Sequence, residues 1–186
     1  IHATVEAAAE VVRTHRIEAA AIAAVHVGMP ANSLRVVDNR AMHNICVQDM
    51  LAAALVQGGL TLRELPFPAI LANPAFAAMR ARITVGVDPD LERDMPDGRG
   101  ANVAITTTDG SRFAHRVDWP KGHSQRGGVT WEDLAAKWHD ALPGHDIDRA
   151  LELARRLEDL DDAGAEEVDH LGQVDLIVTD YTRIRR

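Results

Sequence analysis

Nine histidines and one cysteine are the residues whose chemistry could matter most in this chain of 186 residues. No two histidines stand at HxH or HxxxH spacing, which would set two metal ligands on one face of a strand or helix. A histidine site assembled from distant positions stays open as a third-ranked alternative. Cys46 cannot form an internal disulfide, nor a cysteine metal cage by itself. At the start of a helix its thiol could be reactive, although a buried, inert thiol is the commoner state.

Around position 123 the run Gly122-His123-Ser124-Gln125-Arg126 approaches a nucleophile elbow, but Arg126 stands where the second glycine is needed. Serine hydrolysis is therefore excluded. No glycine-rich phosphate loop and no dinucleotide fingerprint occurs. The same loop, Pro120 to Arg126, gathers Lys121, His123 and Arg126, which together could hold carboxylates. Its plainer reading is a solvated connection. Asp159, Asp161 and Asp162 read as a solvated helix end, and Trp131 and Trp138 as core anchors at helical spacing.

Composition narrows the classes. The net charge of −8 disfavours phosphate backbones and membrane surfaces, so no nucleic-acid or membrane partner is expected. Apolar residues at 46% and charged residues at 26% are those of a globular domain with a real core. No apolar run reaches the roughly 20 residues of a spanning helix. The lone cysteine fits a reducing cytoplasm, and a beginning at Ile1 within a helical pattern suggests part of a longer protein.

The elements that must position these groups follow from periodicity. Val5, Ala8, Ala9 and Val12 predict a helix over 3–14. Residues 17–27 fit either a helix or a strand, and Val25 and Val27 with Gly28 and Pro30 beyond favour a strand over 21–27. Residues 28–45 read as a loop. Val47, Met50, Leu51, Ala54 and Leu55 mark a helix stopped by Gly58-Gly59. Thr61 to Glu64 has capping-box spacing, limited to about a turn by Pro66 and Pro68. Asn73-Pro74 opens a helix through Arg82, residues 83–87 form a strand, and 91–100 a loop.

A hairpin follows. A two-residue Asp109-Gly110 turn would oppose Ile105 to Ala114, whereas a three-residue loop with Gly110 left-handed opposes Ile105 to Phe113 and Val103 to His115. The second register keeps one face more apolar and is preferred. Helices from Thr130 and along Ile147, Leu151, Ala154 and Leu157 follow, with a short strand at Leu176-Ile177-Val178. The sum is an α+β domain, a small and mainly antiparallel sheet with helices packed on it, over 1–162. Residues 163–186 read as an acidic tail.

Several segments, taken in order, resemble the C-terminal domain of the 2-methylcitrate dehydratase (MmgE/PrpD) family. They are Ile1-His2-Ala3-Thr4-Val5-Glu6-Ala7-Ala8, Asn44-Ile45-Cys46-Val47-Gln48 running into Ala52 to Gly59, Thr107-Thr108-Asp109-Gly110, and Lys121-Gly122-His123. Thr130-Trp131-Glu132-Asp133-Leu134-Ala135-Ala136-Lys137-Trp138 and Arg156-Leu157-Glu158-Asp159-Leu160 complete the set.

The resemblance implies a lid that closes on a large helical N-terminal domain absent from this chain, in an enzyme that is homodimeric when complete. It also implies proton abstraction next to a carboxylate of a small polycarboxylate, without metal or organic cofactor. His2 matches the catalytic histidine before the lid's first helix. His43, Cys46 and Gln48 would bind substrate on the cleft side, and so would Lys121 and His123. Cys46 replaces the usual serine, Asp49 an aromatic, and Gly127-Gly128 a proline. The competing class is a non-catalytic binding or assembly module that keeps the lid fold.

Overall fold

The computed structural model describes residues 1–59 and 67–156. The expected turn at Thr61 to Glu64, the end of the last helical stripe at Leu157, the aspartates 159–162, the acidic tail and its strand lie outside the described residues.

Two compact units divide the chain, the first running from Ile1 to Thr130 and the second beginning at Trp131. In the first unit α1 (His2–His15) leads through a short 3-10 turn into β1 (Ile22–Met29), settling the ambiguity at 17–27 in favour of the strand. Then come α2 (Ala31–Val37), α3 (Val47–Gln57), α4 (Phe67–Leu71), α5 (Pro74–Arg80), β2 (Ile83–Val87), α6 (Pro89–Arg93), β3 (Ala101–Thr107) and β4 (Arg112–Val117).

The four strands form one sheet in the order β2-β1-β3-β4. β1 runs parallel to β2 and antiparallel to β3, and β3 pairs antiparallel with β4, so the α+β expectation holds with a mixed sheet. The parallel pair arises because α2 to α5 carry the chain back to the start of the sheet before β2.

Across the sheet Ile83, Val25, Ile105 and Phe113 stand in one row, and Val85, Val27, Val103 and His115 in a second row on the same face. That is the preferred hairpin register, and Gly110 takes the left-handed conformation (φ 86°) it requires. Onto this face pack α1 and α3. The side of α1 that enters the core is Ala3, Thr4, Ala7, Ala8 and Val11, one step round from the expected Val5, Ala8, Ala9 and Val12 stripe. Small alanines let the helix backbone approach the sheet, while Val5 and Val12 flank the contact. Most of the circumference of α3 is buried, including Val47, Leu51, Ala52, Ala53 and Leu55.

Two expected loops contain helix. Within 28–45, α2 follows Pro30, and Leu34 and Val37 pack on the core. Within 91–100, α6 completes a turn begun at Asp88, whose carboxylate accepts from Asp90 N and Leu91 N. Asp88-Pro89 repeats the cap-then-proline arrangement of Asn73-Pro74, where Asn73 accepts from Ala75 N at 3.0 Å. The helix begun there ends at Arg80, two residues short of expectation.

In the second unit α7 (Trp131–Ala141) contains no buried residue, and Trp131 is 40% exposed, against the expectation of core anchors. Its ring is covered instead by the Arg155 guanidinium, 5.3 Å from the centroid. The last described helix, α8 (Ile147–Arg155), is capped by Asp146 and buries Ile147, Leu151 and Leu153. No helix among the described residues is long and apolar enough to cross a membrane.

Candidate functional site

A cluster of polar side chains gathers where α3 begins. Gln48 and Asp49 lie in the first turn of α3, and both are buried, 3% exposed each. One Asp49 oxygen meets the Nε of Arg80, the last residue of α5, and the other lies 2.6 Å from His43 Nδ1. Arg80 Nη2 also donates to Asn39 Oδ1 at 3.1 Å and approaches Cys46 Sγ at 3.9 Å. Gln48 ties the other flank: its Oε1 accepts from Asn39 N at 3.0 Å and from the Cys46 thiol at 3.4 Å. Its Nε2 donates to Asp38 Oδ1 at 2.5 Å. Asn39 takes a positive φ of 46°, a conformation asparagine tolerates better than most residues.

The electrostatics follow from this packing. Burial works to raise the pKa of Asp49. Hydrogen bonds from His43 and Arg80, with the Arg80 charge, outweigh it and hold the carboxyl below its ordinary value. The bond to Asp49 correspondingly raises the pKa of Arg80. A carboxyl with a lowered folded pKa stabilises the fold fully above its unfolded value of about 4, and that contribution is lost as pH falls through the folded value. Urea unfolding followed downward from about pH 5 should therefore show a stability loss that is shallower in Asp49→Asn. Parallel pH profiles for the two proteins would refute the assignment.

His43, Cys46 and Gln48 thus come together, but at different depths. The His43 side chain is 40% exposed, whereas Cys46 and Gln48 are enclosed. Asp38, Asn39, Asp49 and Arg80 were missed as site residues. The sequence carried one hint, the acidic Asp49 where relatives of the resembled kind carry an aromatic. His2 occupies the first turn of α1 and is exposed. Next to it a cavity of about 420 Å³ is lined by Ile1, Ala3, Thr4, Asn32, Ser33 and Arg99, among others.

Lys121 and His123 sit apart, in the loop after β4, which is anchored to α1 by Glu6. That carboxylate accepts from Lys121 N at 2.8 Å and pairs with Arg126. Arg126 is thereby neutralised, leaving fewer uncompensated cations here than the sequence suggested. His123 stacks on Trp119 with centroids 4.8 Å apart, and its Nδ1 accepts from Gln125 N at 3.2 Å. When neutral, His123 therefore carries its proton on Nε2.

No group of three or more metal-binding side chains occurs among the described residues. The sequence profile described as the MmgE/PrpD C-terminal domain matches residues 1–162. The chain belongs to the MmgE/PrpD family. One curated relative, 2-methylcitrate dehydratase from Cupriavidus necator, is 34% identical over 119 residues, covering 58% of this chain and 24% of the relative. This MmgE/PrpD domain therefore spans about a quarter of the length of the curated relative it matches.

Proposed function

We propose that this domain is the substrate-cleft lid of a lyase or epimerase that removes a proton next to a carboxylate of a small di- or tricarboxylate. Family membership over residues 1–162 is the observation that carries this reading, and a relative named 2-methylcitrate dehydratase supports it. In this reading a helical N-terminal domain faces the start of α3, the complete enzyme is a cytoplasmic homodimer, and neither metal nor organic cofactor takes part. Val36 (60% exposed), Met42 (61%) and Ile45 (36%) flank the polar cluster and suit burial against such a domain.

Roles are assigned by depth. His2 and His43 are exposed enough to reach a substrate, and Lys121 with the Nε2–H of His123 would donate to carboxylate oxygens. Cys46 and Gln48, first expected to touch substrate, are buried and in this reading hold the 38–46 segment in shape instead.

The test is incubation of the complete enzyme with 2-methylcitrate and a panel of di- and tricarboxylates in D2O, with NMR following α-proton exchange and alkene formation. Exchange or elimination on at least one substrate is expected. Inertness toward the whole panel would return the domain to the assembly-module reading.

A further inference from the structure

We propose that the cavity between the start of α1, α2 and the residues just before β3 binds a carboxylate on a short aliphatic body, held by Arg99 and the Thr4 hydroxyl. The binding does not depend on the lid reading, because every residue that lines the cavity lies within the first unit.

The cavity measures about 420 Å³, a volume typical of small-molecule sites. Thr4 lines it and is 1% exposed, yet its Oγ1 has no hydrogen-bond partner among the described residues. A buried hydroxyl without a partner destabilises a fold unless something else supplies one. A helical threonine commonly bonds a carbonyl one turn back, but the Ile1 carbonyl accepts from Val5 N instead. The hydroxyl is therefore left to whatever enters the cavity. The positive end of α1 reaches the same place, with no side-chain cap and no acidic residue in its first turn.

Arg99 sets the charge of the ligand. Its side chain lines the cavity, and among the described residues no carboxylate pairs with it. Arg80, Arg93, Arg116 and Arg126 each have an acidic partner, so an unpaired guanidinium stands out in a chain of net charge −8. One guanidinium fork matches the two oxygens of one carboxylate. Asn32 accepts from Arg35 through Oδ1, which leaves its Nδ2 hydrogens as further donors at the cavity.

The remaining walls set the body of the ligand. Ala3, Met29, Val37 and Met95 present apolar surface, and Ala3 and Met29 are almost wholly enclosed. A second charge against those walls would lose its water without gaining a partner. The site therefore favours one carboxylate carried on hydrocarbon over phosphate or a compact polyanion.

Sodium butanoate is the probe, titrated into the complete protein labelled at its methionine methyl groups. Met29 and Met95, assigned by leucine substitution, should shift saturably, while Met79, in the core away from the cavity, should not. Arg99→Gln and Thr4→Val should each weaken the apparent Kd about tenfold or more. Thr4→Val should nevertheless be no less stable in urea, because a methyl group replaces an unpartnered hydroxyl. Absence of saturation, a phosphate affinity equal to that of butanoate, or an unchanged Kd in both variants overturns the proposal. Assays of the same protein then distinguish two sources of the carboxylate. Competition between butanoate and substrate identifies it as an arm of the substrate, and saturable methionine shifts without competition identify a separate small carboxylate. An enzyme inert toward every substrate overturns the lid reading alone.

Discussion

Asp49→Ala is expected to lower the unfolding free energy by about 3 kcal/mol, the low end for removing one member of a buried ion pair. The low end applies because Arg80 and His43 keep about two-fifths of their side-chain surface in water, so each regains hydration once the carboxylate is gone. Against that, Asp49 is the point where the loop before α3, the first turn of α3 and the end of α5 are joined. Asp49→Asn retains the volume and one acceptor, so its loss should be smaller, about 1–2 kcal/mol. Urea denaturation of both variants measures the difference. A loss under about 1 kcal/mol for Asp49→Ala would mean that the cluster contributes nothing net.

Gly100→Ala should cost at least as much, for a steric reason. A Cβ at this position would lie 2.4 Å from the Val117 carbonyl oxygen, 2.9 Å from Leu91 Cδ2 and 3.0 Å from the Asp118 Cα. Two of those three atoms are backbone and cannot rotate away, so β3 and β4 would have to separate where Ala101 pairs with Val117. About 3 kcal/mol or more is expected from overpacking so enclosed a position. The effect should extend to function, because the loop carrying Lys121 and His123 leaves the sheet directly after Val117. Gly110→Ala is the control: it is strained by its positive φ but meets nothing within 4 Å, so a cost of only about 1–2 kcal/mol is expected. Thermal or urea unfolding that ranked Gly110→Ala above Gly100→Ala would contradict this account.

Several features are legible in the sequence because their causes are local. The Asn73-Pro74 helix start, the glycine stop at Gly58 and the β3–β4 register each depend on residues a few positions apart. Asp88-Pro89 carries the same cap-then-proline signal, but it directly follows the strand at 83–87, where a proline equally well ends a strand. The α+β class follows from the same periodicities.

Position in three dimensions decided the rest. Pairing of β1 with β2 joins segments about sixty residues apart, and nothing in either strand specifies a parallel neighbour. Arg80 reaches Asp49 across 31 positions, and Glu6 reaches Arg126 across 120. An ion pair imposes no period on the sequence, since a charged residue on a helix end looks the same whether it meets water or a buried partner. Sequence alone therefore determined the four strands, the helices α1, α3, α5, α7 and α8, the Asn73 cap, the family resemblance and the candidates His2, His43, Cys46, Gln48, Lys121 and His123. Only the tertiary structure separated His43, held at the surface by Asp49, from Cys46 and Gln48, enclosed behind it. Burial and hydrogen-bond direction are set by what packs on a residue, not by its neighbours in the chain.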